Sequence, residues 1–126
     1  MKQTDLSTRD GIGLGLLELG KIRPDVVVLT ADLAESTRVE DFARTYPSRF
    51  IEVGVAEQNM AGIAAGLALT NKIPVMASYA VFSPGLNWGV IRSAIAYSNL
   101  PVIIIGGHAG LATGPDGATL HALDDI

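Results

Sequence analysis

The chain has 126 residues, of which 48% are hydrophobic and 17% are charged, so it can form the core of one domain and is not disordered in composition. Its net charge is −4 and it has no run of Lys or Arg, so we expect neither a nucleic-acid nor a membrane partner. It has no cysteine, which excludes disulfide scaffolds and thiolate zinc sites, and no apolar stretch near the ~20 residues that span a bilayer, so we expect a cytoplasmic protein.

The predicted elements alternate between helices and strands, which is typical of an α/β domain. Ser7, with Asp10 three residues later, resembles a capping box and predicts a first helix that Gly20 ends. The continuous apolar run VVVLT at 26–30 predicts a buried parallel strand. The next expected elements are a helix near 39–45, a strand at 50–53, a helix at 58–69, a strand at 74–79, a helix at 87–97 and a strand at 102–106.

Four strands joined by helices predict a doubly wound, mainly parallel sheet in a single domain over residues 1–126. Asp124, Asp125 and Ile126 resemble the first turn of another helix, so we expect this domain to be truncated at its C-terminus. Ligands of such sheets bind outside the carboxyl ends of the strands. We therefore expect the functional residues in the segments that follow the strands, at 31–36, 54–59, 80–87 and 107–119.

Three alternating glycines, Gly11, Gly13 and Gly15, lie near the N-terminus of the chain. Their spacing differs from the dinucleotide-binding pattern G-x-G-x-x-G, and no predicted strand precedes them. We therefore expect glycines that pack a helix closely against the sheet rather than a phosphate-binding loop.

Glu57 is the strongest candidate for a functional carboxyl. It lies where a predicted strand ends and a predicted helix begins, among apolar neighbours such as Val55 and Met60. A carboxyl in such surroundings favours a hydrogen bond to a nitrogen base. A solvated glutamate that complements the helix dipole explains the same spacing equally well.

Five ordered segments along the chain resemble the transketolase family, in particular the C-terminal subunit of its split, two-subunit form. These segments are STRDGIGLGLLEL (7–19), VLTADLAEST (28–37), VGVAEQNMAGIAAGLAL (53–69), ASYAVFSPGLNWGVIRSA (77–94) and GGHAGLATGPDGAT (106–119). The resemblance implies the flavodoxin-like, pyrimidine-binding domain of an enzyme that depends on thiamine diphosphate.

The resemblance also assigns roles to individual residues. It implies that Glu57 is catalytic and binds a ring nitrogen of the aminopyrimidine, and that the rings of Tyr79 and Phe82 stack against that pyrimidine. Without the resemblance, both aromatic residues would be interpreted as core residues at a strand end. His108 is implied to be catalytic and to contact the substrate, although a histidine at a strand end is more often structural.

The implied substrate contacts are Arg9, Ser36, His108 and Asp116, of which Arg9 and Ser36 match phosphate contacts best. A guanidinium suits a phosphate because it donates two parallel hydrogen bonds. Leu120 and Leu86 depart from the family pattern, which usually has His and Arg at these positions. Both replacements remove polar groups from the expected channel.

The implied reaction is the transfer of a two-carbon ketol unit between sugar phosphates, as in the pentose phosphate pathway. We expect no metal ligands in this chain, because an N-terminal transketolase subunit is expected to hold magnesium and the diphosphate. The chain is expected to act in a homo- or hetero-oligomer and to be inactive alone.

Two other interpretations remain open. One is part of an enzyme similar to deoxyxylulose-phosphate synthase or to a dehydrogenase β-subunit, which use the same glutamate. The other is a non-catalytic binding or interaction module, which Leu86, Leu120 and the short chain favour.

Overall fold

A computed structural model describes residues 6–111 and 113–123 of the chain. The regular elements are α1 (Thr8–Ile22), β1 (Val26–Thr30), α2 (Glu40–Thr45), β2 (Phe50–Glu52), α3 (Glu57–Leu69), β3 (Ile73–Tyr79), α4 (Trp88–Val90, continued by π-helical turns over Ile91–Ala96) and β4 (Ile103–Gly107). Single turns of 3₁₀-helix span Pro47–Arg49, Gly114–Asp116 and Ala118–Leu120. The helices and strands predicted between residues 7 and 106 are all present, with bounds that differ by one or two residues.

The four strands form one parallel sheet in the order β2-β1-β3-β4, which confirms the predicted fold class. Strand β1 lies in the centre, where Val28 pairs with Phe50 on one side and with Val75 on the other. All five residues of β1 are buried, as a continuous apolar run predicts for a strand covered on both faces.

Helices cover both faces of the sheet, so the sheet is doubly wound. Alternate residues of β1 point to opposite faces. Val28 packs in a cluster with Leu16 of α1 and Phe42 of α2, whereas Leu29 packs in a second cluster with Met60 of α3. The helices α1 and α2 therefore lie on one face, and α3 and α4 on the other.

The capping box at the start of α1 is confirmed. The Ser7 hydroxyl accepts a hydrogen bond from the amide of Asp10 at 3.3 Å, and the Ser7 amide donates to the Asp10 carboxylate at 3.0 Å. The prediction that Gly20 ends this helix is wrong, because α1 continues to Ile22. Gly20 is needed for packing instead: a Cβ there would lie 2.5 Å from the ring of Tyr46.

The alternating glycines lie inside α1, as expected, but they do not pack against the sheet. A Cβ on Gly13 would lie 2.5 Å from the carbonyl oxygen of Arg38, in the loop that follows β1. Gly11 and Gly15 have nothing within 4 Å of an added Cβ. Only Gly13 is therefore required by a close contact, and this contact is between α1 and a loop.

Two expectations concern the ends of the chain and its relation to membranes. The helix expected to begin at Asp124 lies outside the described residues. Among residues 6–111 and 113–123, no helix has both the length and the apolar character needed to cross a bilayer.

Candidate functional site

The segments that follow the parallel strands meet at the carboxyl edge of the sheet. The Glu52 carboxylate joins two of them, because one of its oxygens accepts from the amide of Asp32 at 2.7 Å and from that of Gly54 at 2.9 Å. Asp32 and Gly54 both have left-handed backbone conformations, with φ of 60° and 69°. These turns direct the chain away from the ends of β1 and β2, and the shared carboxylate holds them together.

Glu57 is the first residue of α3 and lies at this edge. The residue is only 7% exposed, and no hydrogen bond to its carboxyl is found among the described residues, but the carboxyl oxygens are not among the side-chain atoms that are fully buried without a partner. Ala56, which precedes it, supplies no side-chain cap to the helix. Glu57 is thus a mostly buried residue at the start of α3, and its carboxyl is free to bind a partner from outside the chain.

Three rings follow one another beside the end of β3. The rings of Tyr79 and Phe82 are nearly parallel, with centroids 6.1 Å apart and an interplanar angle of 7°. The ring centroid of His108 lies 4.0 Å from that of Tyr79, at an interplanar angle of 37°. These flat apolar surfaces suit the face of a heteroaromatic ring.

His108 follows β4 in a left-handed conformation with φ of 57°. Its Nδ1 atom is buried without a partner among the described residues. Burial lowers the pKa of His108 below its usual 6.5, and the nearby positive charge of Arg9 lowers it further, while Asp116 acts in the opposite direction. The imidazole is therefore neutral at pH 7, with one nitrogen able to accept a proton.

A cavity of about 530 Å³ lies between the N-terminus of α1 and the end of β4. It contains three of the four predicted substrate contacts, Arg9, Ser36 and His108, from segments far apart in the sequence. Asp116 is not among the described residues that line this cavity, but its charge acts on His108. The helix N-terminus and the guanidinium both favour an anion in this cavity.

One wall of the cavity is fixed to α1 by an ion pair. Ser36 and Thr37 belong to this wall, and the next residue, Arg38, donates from Nε to the Asp10 carboxylate at 2.9 Å. The Thr37 hydroxyl donates to the carbonyl oxygen of Leu33 at 2.7 Å. These contacts, together with the close approach of Gly13 to Arg38, limit how far the wall can move.

A buried polar pair beside Glu57 was not predicted from the sequence. Asn87 and Ser83 are fully buried, and the Asn87 side-chain amide donates to the Glu57 carbonyl oxygen at 3.0 Å and to the Ser83 hydroxyl at 3.1 Å. Two polar residues four positions apart in an otherwise apolar loop, SPGLN, were the available signal. The link to Glu57 spans 30 positions and had no local signature.

Residues 4–126 match the family described as the transketolase pyrimidine-binding domain. The chain belongs to this family. Its match extends over nearly the whole sequence, and the parallel sheet described above is the fold of the solved family members.

The similar proteins include split transketolases. A Methanocaldococcus jannaschii protein, provisionally named a transketolase C-terminal section, is 48% identical over 118 residues, which cover 94% of this chain and 37% of the relative. A solved split-gene transketolase, described as an inactive β4 tetramer, is 43% identical with a TM-score of 0.82 and is covered to 39%. The chain thus spans less than two fifths of these two proteins.

A related enzyme of different activity is also similar. The 1-deoxy-D-xylulose-5-phosphate synthase of Carboxydothermus hydrogenoformans is 37% identical over 121 residues, covering 96% of this chain and 19% of that protein. The identity to the split transketolase section is higher, at 48%. The comparisons therefore favour the pyrimidine-binding domain of a split transketolase.

The residues of this pyrimidine-binding domain suit part of thiamine diphosphate. Glu57 is mostly buried and its carboxyl makes no hydrogen bond to the described chain, and the rings of Tyr79 and Phe82 are flat and apolar, which fits an aminopyrimidine. Within the described ranges, no three His, Cys, Asp or Glu side chains come together as metal ligands. The individual roles of the predicted site residues stay predictions.

Proposed function

We propose that this chain supplies the pyrimidine-binding side of a transketolase active site, which is completed by a second chain. The proposed reaction is the transfer of a two-carbon ketol unit between sugar phosphates. The observation that carries the proposal is the position of the mostly buried residue Glu57 at the carboxyl edge of the sheet, in a member of the pyrimidine-binding family. When bound, thiamine diphosphate would supply the nucleophilic carbon that adds to the ketose carbonyl.

Glu57 would act by sharing a proton with a ring nitrogen of the pyrimidine. The carboxyl would be available to the pyrimidine because no hydrogen bond to it from the described chain competes. The rings of Tyr79 and Phe82 would orient the pyrimidine by stacking, which fixes the nitrogen opposite the carboxyl.

The cavity beside the pyrimidine site would bind the sugar phosphate. Arg9 and the hydroxyl of Ser36 would hold the phosphate, and the neutral imidazole of His108 would accept a hydrogen bond or a proton from a sugar hydroxyl. Asp116 would tune His108 through its charge rather than line the cavity. All four predicted substrate contacts thus keep a proposed role, with a changed one for Asp116.

The partner in this proposal is an N-terminal transketolase subunit that holds magnesium and the diphosphate. The similarity to a C-terminal section and to a split-gene transketolase supports this division. A hetero-oligomer follows from it, and the isolated chain would be inactive. The cytoplasmic location stays a prediction.

Reconstitution tests the proposal against both alternatives. The subunit that contains this chain is mixed with an N-terminal transketolase subunit, thiamine diphosphate and magnesium, and assayed with a ketose phosphate donor and an aldose phosphate acceptor. We expect ketol transfer only when both chains are present. A parallel assay supplies pyruvate in place of the ketose phosphate. Consumption of pyruvate in that assay, without ketol transfer in the first, would support the synthase-like interpretation. No turnover in either assay would support the non-catalytic module.

A further inference from the structure

We propose that Asn87 is a positioning residue, which fixes the first turn of α3, and with it the Glu57 carboxyl, to the loop that carries Phe82. This inference rests on the proposed function, because it assigns Asn87 a task in the same site. Asn87 does not line the cavity of Arg9 and His108, so its effect should be confined to the pyrimidine side of the site.

The geometry of the Asn87 side chain carries the proposal. The side chain is fully buried, and its amide nitrogen donates to two acceptors at once, the Glu57 carbonyl oxygen at 3.0 Å and the Ser83 hydroxyl at 3.1 Å. Ser83 is also fully buried and directly follows Phe82. The Asn87 amide therefore links Glu57 to Ser83, the neighbour of Phe82.

The start of α3 needs such an external contact. The residue before the helix, Ala56, has no side chain that could cap the first turn. The carbonyl oxygen of Glu57 accepts the ordinary helical hydrogen bond and has a second lone pair, which Asn87 occupies. The hydrogen bond from Asn87 thus holds the backbone of the first turn at Glu57, whose side chain must be positioned.

The Asn87 side-chain amide also makes an unfavourable contribution to the free energy of folding, which its two hydrogen bonds must offset. Its oxygen, Oδ1, is buried without a partner among the described residues, which costs free energy. An apolar side chain would avoid this cost. The task of Asn87 is therefore donation to Glu57 and Ser83, and not packing alone.

The expected consequence is a defect in proton transfer and not in sugar binding. A catalytic group must be held to within about 0.5 Å of its productive position. Without the Asn87 donor, the first turn of α3 can shift, and exchange of the thiazolium C2 proton should slow by about 10- to 100-fold. The KM values of the sugar phosphates should stay unchanged, because the phosphate side of the site is intact.

Two variants in the reconstituted complex test this inference. Asn87→Leu removes the donor and keeps the branched shape with larger methyl groups, and Asn87→Asp keeps both shape and size but presents only acceptors to the Glu57 carbonyl oxygen. The matched control is Ser93→Ala, which removes a hydroxyl that donates to Gly89 at 2.9 Å on the exposed side of the following helix. Both Asn87 variants should slow C2 proton exchange, and the control should not.

Amide hydrogen exchange of the cofactor-free complex gives a second, independent measurement. The amide of Met60, which bonds to Ala56 at 2.9 Å, reports on the first turn of α3. It should exchange about 10-fold faster in both Asn87 variants, while the core amides of β1 keep the parent rate. The proposal would be overturned if amide exchange became uniformly faster through the whole chain while each folded site still exchanged the C2 proton at the parent rate, because Asn87 would then have a merely structural role.

The experiments distinguish a failure of this inference from a failure of the proposed function. If Glu57→Gln exchanges the C2 proton as fast as the parent, the proposed function fails, and the positioning of Glu57 by Asn87 fails with it as a catalytic device. If Glu57→Gln is slow but both Asn87 variants exchange at the parent rate, only the present inference is wrong.

Discussion

Replacing Gly13 with Ala tests whether the phosphate side of the site depends on close contact between α1 and the loop after β1. A Cβ at Gly13 would lie 2.5 Å from the Arg38 carbonyl oxygen and 3.1 Å from the Arg38 Cβ, whereas ordinary carbon contacts are ~3.5–4.0 Å. Arg38 cannot easily retreat, because its backbone has a φ of 61° and its side chain is paired with Asp10. Either the helix or the loop must move.

The magnitude follows from two opposing contributions to the free energy of unfolding. Overpacking of a close contact costs ~1–3 kcal/mol. Replacing a helical glycine with alanine contributes up to about 1 kcal/mol in the other direction. Gly15 supplies the matched control, since it lies in the same helix, is exposed, and has nothing within 4 Å of an added Cβ.

Urea unfolding of the parent protein and the two variants measures the difference. We expect Gly15→Ala to be more stable than the parent by up to about 1 kcal/mol, and Gly13→Ala to be less stable than Gly15→Ala by ~1–3 kcal/mol. In the reconstituted complex, only Gly13→Ala should raise the KM of a sugar phosphate, because Ser36 and Thr37 adjoin the displaced Arg38. Equal stabilisation by both substitutions would refute the close contact and the argument built on it.

Two further predictions concern the residues that line the cavity. Burial keeps the pKa of His108 below 6.5 in the folded chain, so the stability that the neutral imidazole contributes is complete above pH 6.5 and is lost as the pH falls through the folded pKa. His108→Gln should therefore lose less stability than the parent between about pH 7 and pH 5, as measured by urea unfolding at several pH values. Arg9→Gln should raise the KM of a phosphorylated sugar by ~10- to 100-fold through loss of a charged hydrogen bond, while the affinity for thiamine diphosphate stays nearly unchanged. If steady-state assays give the variant the same KM as the parent, Arg9 does not bind the phosphate.

Local sequence signals predicted much of the fold. The VVVLT run became the central buried strand, and Ser7 with Asp10 formed the capping box, because each depends only on residues close in sequence. The end of α1 was misplaced at Gly20 because this glycine makes room for the ring of Tyr46, which follows α2, and does not end the helix. The task of Gly20 is thus set by a residue distant in the sequence, whereas the end of α1 at Ile22 is marked by the nearby Pro24.

The site was only partly predictable for the same reason. The parallel sheet brings the segments after its strands to one edge, so the neighbourhood of Glu57, Tyr79 and His108 followed from the strand pattern. The roles of Arg9 and Ser36 came from family resemblance, because an arginine at a helix start has no distinctive spacing. The Asn87 contact to Glu57 could not be foreseen, since it joins two segments through a single side chain.

Exchange of the thiazolium C2 proton in the reconstituted complex of Glu57→Gln tests the central claim most directly, because it reports on the carboxyl without any contribution from sugar binding. The amide keeps the shape of the side chain but is a poor proton partner, so the affinity for thiamine diphosphate should change little. We predict exchange slower by ~10²–10⁴-fold than in the parent complex. Exchange at the parent rate would show that Glu57 only begins a helix, and would contradict the assignment of this chain to the catalytic pyrimidine site.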